Sequence, residues 1–368
     1  MMKISLYVFD NSITLLGAVD VVTGLTWTEK FSDAGSFELW CPVNDHNAQL
    51  LREDNLLWAG GDTAGIIEFR ELTSGEDGAQ SIHLQGRLLT SLLDYRVIYP
   101  TLVASGTISQ VMCQQVDMYL ISPADPKRKI PLLELDPDQP NLGPRVSYQK
   151  TGDTVLLESA KLGEANSLGF KVTFHPKDRK MVFRVYQGVD RTLDQNVVTP
   201  LLFASDLDDI LSSNYSHNKS EMRNVAYVAG EDSGVNRKVR EVGDFSGISR
   251  RELFVDARDL QTGLEPGNTL PEEEYYSMLD ERGRTSLEDY KDIETFSATI
   301  RTHGVTTYQY GKDYFLGDRV TVYDRKLKVR TNALITEVTT TWDENGKVLD
   351  VAFGYEQPTI ANKLRRRK

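Results

Sequence analysis

The chain has 368 residues, 40% of them hydrophobic and 26% charged, a balance typical of a soluble folded protein of two or three domains. No apolar run approaches the about 20 residues of a membrane-spanning helix, and Cys41 and Cys113 have no CxxC partner that would suggest a zinc site or a disulfide framework. A net charge of −12 disfavours general nucleic-acid binding, because an acidic surface repels phosphates.

The first segment, residues 1–98, has the period-two pattern of β-strands. Phe37, Leu39 and Cys41 alternate with Glu38 and Trp40, which predicts a strand with one buried face. Similar short runs follow, separated by Gly-rich turns. We predict a small antiparallel β-barrel or sandwich here.

Residues 99–218 have mixed helical and strand patterns, unlike the first segment, and predict an α+β insertion. Thr107 can cap a helix that continues to Leu120, and a second helix begins at Asp153. Two strands, 170–174 and 181–186, flank a tight turn. A helix–ribbon combination of this kind indicates an inserted α+β unit.

The remaining chain predicts a return to β structure. Residues 219–258 are strand-like, and we expect them to complete the first barrel. Residues 259–295 form a polar helical connector that Gly283 interrupts. Residues 296–368 predict a second small barrel followed by a basic tail, Arg365–Lys368. The fold class is therefore mainly β with an α+β insertion.

Three glycines stand where the chain is expected to turn: Gly35, Gly86 and Gly317. Glycine adopts positive φ without a steric penalty, so all three are predicted structural residues. In this reading Gly86 ends the strand that begins at Ser81.

A search for catalytic and ligand motifs finds no phosphate-binding loop, no dinucleotide fingerprint, no nucleophile elbow and no HExxH pair. The five histidines are scattered, so we expect no metal or cofactor. Asp206, Asp208 and Asp209 resemble cation ligands, but the glycine and terminal glutamate of a calcium loop are missing, which favours a turn. Cys113 lies on the apolar side of its helix, where a thiol usually packs.

The tryptophans leave two interpretations open. Trp27, Trp40 and Trp58 could form a sugar-binding platform, which would make the chain a carbohydrate- or receptor-binding module. They lie within alternating strands rather than loops, which favours a role in a core and a subunit interface. A cell-wall hydrolase would need two carboxylates at a set separation, and the sequence singles out no such pair.

An ordered series of local patterns carries a family resemblance. These are WTEKFSDAGSFELWCP from Trp27, LLREDNLLWAGGDTAGIIE from Leu50, LQGRLLTSLLDYR from Leu84, YVAGE from Tyr227, SRRELFVDARD from Ser249, YFLGDRVTVYD from Tyr314 and ITEVTTTWDENG from Ile335. The chain resembles the tail-tip hub proteins of siphophages. That family is similar to the N-terminal part of tail-associated lysins and to contractile-tail baseplate hubs.

The resemblance implies a homotrimer at the tail tip of a virion. Two similar barrels per subunit would give six around the tail axis, so a threefold hub could dock on the sixfold distal tail ring. The insertion would help to close the DNA channel, and DNA would be present only in transit. Further implied partners are the tape-measure protein and receptor-binding or fibre proteins. Longer relatives carry hydrolase modules after this region, so with the chain ending at Lys368 we carry over no enzymatic activity.

Planar arginine side chains suit specific contacts with carboxylates on a neighbouring subunit. An equally weighted alternative for each candidate is a salt bridge within the chain. The predicted intersubunit contacts are Trp40, Arg87, Arg96, Arg250, Arg251, Asp318 and Arg319.

Overall fold

The computed structural model describes residues 5–19, 21–75, 80–204, 210–265, 268–300, 308–325, 328–344 and 346–354. Within these ranges the chain is mainly β, with four α-helices and several short 3₁₀ turns. The helices are α1 (Asp45–Leu50), α2 (Ile108–Val116), α3 (Val155–Asn166) and α4 (Glu272–Glu288). The strands are β1 (Leu6–Phe9), β2 (Leu15–Val19), β3 (Gly24–Lys30), β4 (Ser36–Pro42), β5 (Leu56–Trp58), β6 (Gly65–Ser74), β7 (Gln80–Leu88), β8 (Val97–Thr107), β9 (Leu133–Leu135), β10 (Arg145–Thr154), β11 (Gly169–His175), β12 (Lys180–Tyr186), β13 (Asp190–Arg191), β14 (Leu202–Ala204), β15 (Ile210–Asn218), β16 (Val225–Ala229), β17 (Val239–Val242), β18 (Glu252–Asp256), β19 (Gly263–Glu265), β20 (Asn268–Thr269), β21 (Ile293–Ile300), β22 (Arg319–Asp324), β23 (Val329–Asp343) and β24 (Gly346–Phe353).

The largest sheet contains a continuous run of eight strands in the order β15–β21–β24–β23–β3–β4–β7–β6. Every neighbouring pair in this run is antiparallel. The predicted alternation at 37–41 is confirmed in β4, where Phe37, Leu39 and Cys41 are buried and Trp40 faces outward. Strands of period two bury one face, and the other is left to solvent.

The run consists of two halves with the same topology. One half uses β15, β21, β23 and β24 in chain order, and the other uses β3, β4, β6 and β7. In both halves these strands occupy the first, second, fourth and third places across the sheet. The two halves meet where β23 pairs with β3.

Smaller strands attach to each half. In the half formed by the N-terminal strands, β5 pairs with the beginning of β6, and β1 and β2 follow. In the other half, β22 pairs with the beginning of β23 and carries β13 and β14. Among the described residues these strands continue the sheet without closing it into a barrel, so each barrel predicted from the sequence corresponds here to an open half of one sheet.

The predicted insertion contains its expected helices and ribbon. Thr107 caps α2 with a capping box to Gln110, and Thr154 caps α3. The two predicted strands pair as the antiparallel hairpin β11–β12, and β9 pairs parallel to β12. Their apolar faces share one core with residues of the N-terminal half, including Phe9 and Ile66. The insertion is therefore packed onto the N-terminal half.

Two predicted assignments of strands to domains are wrong. Residues 219–258 do not complete the first barrel, because β16, β17 and β18 form a sheet of their own, covered by α4. The segment 190–218 leaves the insertion, because β13 and β14 pair with β22 and β15 pairs with β21. Pairing between distant strands decided both cases, and local pattern carries no information about it.

The connector helix α4 runs through Gly283, contrary to the predicted interruption. A Cβ at Gly283 would lie 2.6 Å from a methyl carbon of Val242 and 2.8 Å from one of Val228. The missing side chain lets the helix approach β16 and β17 closely. Gly283 thus costs helix propensity but allows this packing.

Candidate subunit interface

The outward face of the eight-stranded run is rich in hydroxyl and acidic side chains. Thr28 on β3 and Thr339 on β23 lie 3.0 Å apart between hydroxyl oxygens, across the junction of the two halves. Lys30 and Glu337 form an ion pair of 3.4 Å at the same junction. Because these groups are hydrophilic and extend over several strands, this face suits contact with water or with a polar surface.

Trp40 lies on this face as part of a small aromatic group. Its ring stacks on His83 at 4.7 Å between centroids with planes 7° apart, and Phe69 meets His83 edge-on at 5.7 Å. His83 also contacts Glu38, with 2.7 Å between Nε2 and Oε1. Trp40 and Phe69 both retain exposed ring surface, so this group is available for a contact with another chain.

The three tryptophans do not share one surface. Trp27 is buried and stacks on Phe37, on the opposite face of the sheet from Trp40. Trp58 packs against Tyr7, Phe9 and Phe174, apart from both. The geometry therefore contradicts a common sugar-binding platform and places Trp27 in a core, whereas an interface role for Trp40 stays a prediction.

Arg87 and Arg96 have partners within the chain. Arg87 donates from Nε and Nη2 to Glu68 and from Nη1 to Asp94, at 2.9 Å in the closest contacts. Hydrogen bonding to Glu68 raises the pKa of Arg87. Arg96 donates to the carbonyl oxygens of Arg128 and Tyr95.

Arg250 and Arg251 belong to the separate sheet of β16–β18 rather than to the eight-stranded run. Arg250 pairs with Glu241 at 3.0 Å and with Glu252 at 2.6 Å, and Arg251 donates to the carbonyl oxygen of Lys219. Arg319 is exposed at the start of β22. An intersubunit role for these arginines and for Arg87 and Arg96 stays a prediction. The alternative of a salt bridge within the chain holds for Arg87 and Arg250, whereas Arg96 and Arg251 donate to carbonyl oxygens.

Asp318 is only 2% exposed, which leaves it no surface for a partner within this fold. Its carboxylate accepts hydrogen bonds from the backbone N–H groups of Val189 at 2.8 Å and Phe315 at 3.1 Å, and from Nε of Arg191 at 2.9 Å. These contacts bind the chain after β12 to the start of β22. A contact role for Asp318 is therefore not part of our proposal.

Asp318→Asn is expected to lower the free energy of unfolding by about 1.5–3 kcal/mol, the range for hydrogen bonds to a charged group. The amide keeps the shape but loses the charge that Arg191 neutralises. Chemical denaturation measures the change, and the oligomer mass of folded protein should be unaltered. A stable variant that fails to assemble would instead make Asp318 an interface residue.

The predicted structural glycines divide into two kinds. Gly317 lies in a turn with φ of +93°, where a Cβ would also strike the ring of Phe31. Gly35 lies in the β3–β4 connection, where a Cβ would be 2.1 Å from the carbonyl oxygen of Thr28. Gly86 does not end a strand as predicted, because β7 continues through it to Leu88. A Cβ there would collide with the carbonyl oxygen of Ile66 at 1.9 Å and with Phe37.

A buried charged cluster, which the sequence reasoning missed, joins the insertion to α4. Glu158 on α3 lies 3.3 Å from Nζ of Lys150 and accepts a hydrogen bond from the Tyr148 hydroxyl. Burial raises the pKa of Glu158, but Lys150 and Lys161 outweigh it, and the net shift is downward. Within the same region Arg282 of α4 binds the carbonyl oxygen of Gln149 and the carboxylate of Asp259. No spacing in the sequence distinguishes these charges from solvated ones.

The other groups considered for chemistry show neither a reactive thiol nor a set of metal ligands among the described residues. Burial raises the pKa of Cys41 to about 11 and that of Cys113 to about 12, so both thiols stay protonated at neutral pH. Among the residues that the structure describes, no three His, Cys, Asp or Glu side chains gather as metal ligands. None of the described helices is long and apolar enough to cross a membrane. The acidic group 206–209 and the basic tail 365–368 lie outside the described residues.

Comparisons with known proteins agree with the resemblance drawn from the sequence. A sequence family described as "Siphovirus ReqiPepy6 Gp37-like protein" matches residues 5–355. No curated protein matches the sequence.

Three solved structures have a similar fold over most of their length. A tail protein from Neisseria meningitidis MC58 is 15% identical with a TM-score of 0.56, covering 96% of this chain and 97% of that one. The 43 kDa tail protein of prophage MuSo2 from Shewanella oneidensis is 13% identical with a TM-score of 0.56, covering 95% and 98%. The prophage tail protein gp18 from Listeria monocytogenes EGD-e is 11% identical with a TM-score of 0.55, covering 98% and 97%.

Proposed function

Because the chain belongs to the family described as Siphovirus ReqiPepy6 Gp37-like protein, we propose that it is the structural hub of a bacteriophage tail tip. The hub is a homotrimer in the virion that docks on the sixfold distal tail ring and closes or gates the DNA channel. Its role is structural rather than enzymatic. The tape-measure protein and receptor-binding or fibre proteins are its further neighbours in this proposal.

The observation that carries the proposal is the repeat within the eight-stranded run. Each chain supplies two halves of the same strand order and direction, joined edge to edge. Three such chains supply six equivalent halves, so a threefold assembly presents a near-sixfold backbone. A partner ring with six copies of one subunit matches that arrangement.

The size of the resulting ring is compatible with a channel. Three runs of eight strands give 24 strands, which at about 4.8 Å each correspond to a circumference of about 115 Å and a diameter of about 37 Å. Strand tilt widens a barrel further, and barrels of 16–18 strands already enclose aqueous pores.

The side chains on the outward face are also compatible with DNA transit. Its hydroxyl groups and the carboxylates of Glu38, Glu71 and Glu337 offer phosphates no dense cationic surface. The net charge of −12 likewise disfavours binding of DNA phosphates. Such a lining would let DNA pass without holding it.

The test is the mass of the purified protein by light scattering over a concentration series, with negative-stain imaging of the same sample. We expect trimers with a central hole, and co-sedimentation with the distal tail ring protein of the same phage. A protein that remains monomeric at every concentration and does not bind that ring would contradict the proposal.

A further inference from the structure

The strand registers of the two halves of the eight-stranded run can be aligned at their β-bulges. The register of β6 with β7 slips at Glu68, and that of β23 with β24 slips at Thr336. Taking these two residues as equivalent makes the cross-strand rows coincide. The row Trp27–Phe37–Gly86–Ile67 then matches the row Tyr215–Phe296–Phe353–Ile335.

This equivalence extends to the ends of the strands. With Trp27 matched to Tyr215, the last residue of β3, Lys30, matches the last residue of β15, Asn218. The bulges, the cross-strand rows and the strand ends all coincide in this alignment. This agreement indicates that the two halves have the same strand order and register. The contacts of one half are therefore a template for those of the other.

One strand pairing of this repeat, between the fourth strand of one half and the first strand of the other, is made only once within the described chain. The fourth strand of one half, β23, pairs with the first strand of the other half, β3, with Thr340 opposite Trp27 and Thr341 opposite Thr26. The corresponding fourth and first strands, β6 and β15, do not meet within the chain. Among the described residues, β6 beyond its bulge pairs only with β7, and β15 pairs only with β21.

The unpaired stretch of β6 exposes large apolar side chains beside the charged Arg70 and Glu71. Leu72 is 53% exposed, whereas Thr340 at the equivalent place in β23 is 7% exposed because β3 covers it. Phe69 on the same strand is also exposed. Monomeric proteins usually block open edges with charge, proline or distortion, because open edges recruit other strands.

We propose that β6 of one copy of this chain pairs antiparallel with β15 of a second copy, with Leu72 opposite Tyr215 and Thr73 opposite Asn214. This inference rests on the proposed function for the statement that the chain assembles with itself. The register is that of the β23–β3 junction, transferred through the bulges. Direction is also satisfied, because the eight strands alternate and a repeat of the run keeps the alternation.

The chemistry of the transferred register is complementary. Leu72 covers Tyr215, as Thr340 covers Trp27 within the chain. The Thr28–Thr339 hydroxyl pair becomes Ser216 opposite Glu71, in which a hydroxyl donates to a carboxylate. No two like charges stand opposite each other among these three pairs, which would have opposed the pairing.

Cysteine pairs test the register directly. Residues opposite each other in an antiparallel sheet have Cα atoms about 4.5–5.5 Å apart, within the about 4.4–6.8 Å that a disulfide spans. We expect the double variant Thr73→Cys with Asn214→Cys to give, on mild oxidation, covalent dimers and trimers on a non-reducing gel. The unmodified chain, whose two native thiols are packed in the fold, should give none.

Two matched controls fix the interpretation. Thr26→Cys with Thr341→Cys places a pair at the equivalent intrachain position and should yield an oxidised monomer. Thr73→Cys with Ser213→Cys shifts the pair by one residue, which turns the side chains to opposite faces and should abolish cross-linking.

The outcomes separate the two proposals. A trimer by light scattering in which only the off-register pair cross-links, or neither pair does while the intrachain control oxidises, would overturn the β6–β15 pairing and leave the trimer standing. A protein that stays monomeric at every concentration and does not bind the distal tail ring protein would overturn both. Cross-linked trimers from the Thr73–Asn214 pair alone support both.

Discussion

Glu158→Ala is expected to lower the free energy of unfolding by about 3–5 kcal/mol, the cost of removing one partner from a buried ion pair. Glu158 is 2% exposed, and its loss leaves Asp153 as the one remaining carboxylate that the described structure pairs with the ammonium groups of Lys150 and Lys161. The Tyr148 hydroxyl loses its acceptor as well. Chemical denaturation at neutral pH measures the difference from the unmodified chain.

The matched control is Glu134→Ala in the same insertion. The Glu134 side chain is 58% exposed and lies 3.5 Å from Lys180. Exposed ion pairs contribute about 0–1 kcal/mol, so this variant should be close to the unmodified chain. Equal, small losses for both variants would show that the Glu158 cluster does not stabilise the fold.

The Glu158 contribution should depend on pH in one direction. The pKa of Glu158 in the folded chain lies below its ordinary value, because the neighbouring lysines outweigh the effect of burial. Between the two values the unfolded chain binds more protons, so stability rises with pH. The difference between the unmodified chain and Glu158→Ala is therefore full above the ordinary value of about 4.3, and it shrinks as the pH falls through the lower folded value.

Gly86→Ala is expected to cost about 3 kcal/mol or more, at or beyond the upper end of the range for overpacking a well-filled core. The added Cβ would lie 1.9 Å from the carbonyl oxygen of Ile66 and 2.5 Å from the Phe37 ring. The first obstacle is backbone of the neighbouring strand, which can move only if the β6–β7 pairing moves. Thermal or chemical unfolding measures the loss.

Gly263→Ala provides the comparison, since a Cβ at Gly263 meets no heavy atom within 4 Å. That substitution should be neutral or slightly stabilising, because it reduces the freedom of the unfolded chain. A Gly86→Ala variant as stable as Gly263→Ala would contradict the close packing of Phe37 under β7.

The local sequence pattern predicted the features that depend on neighbouring residues, namely strand faces and helix caps. The alternation around Trp40 predicted β4, and Thr107 predicted the start of α2, because strand faces and helix caps depend on residues a few positions apart. The mainly β class and the α+β insertion follow from such elements. The similarity to the siphophage tail family, drawn from ordered motifs, is confirmed by the match over residues 5–355.

Contacts between distant segments were not accessible in this way. Gly86 was expected to end a strand, whereas β7 continues through it and its missing side chain leaves room for the Phe37 ring. The strands of 219–258 were placed in the wrong sheet, and the charges of residues 150–161 join Arg282 only because α4 packs against β10 and α3. The repeat of the two halves became visible only through strand order and bulges.

The β23–β3 junction within the chain changes how readily a ring could form. Six separate units would need five associations in solution to form a ring, each losing translational and rotational freedom. Covalent linkage of two units in one chain makes three of those five contacts intramolecular, at an effective concentration set by the intervening chain rather than by the number of copies in the cell. Assembly then needs only three copies, which would suit the hub proposed above.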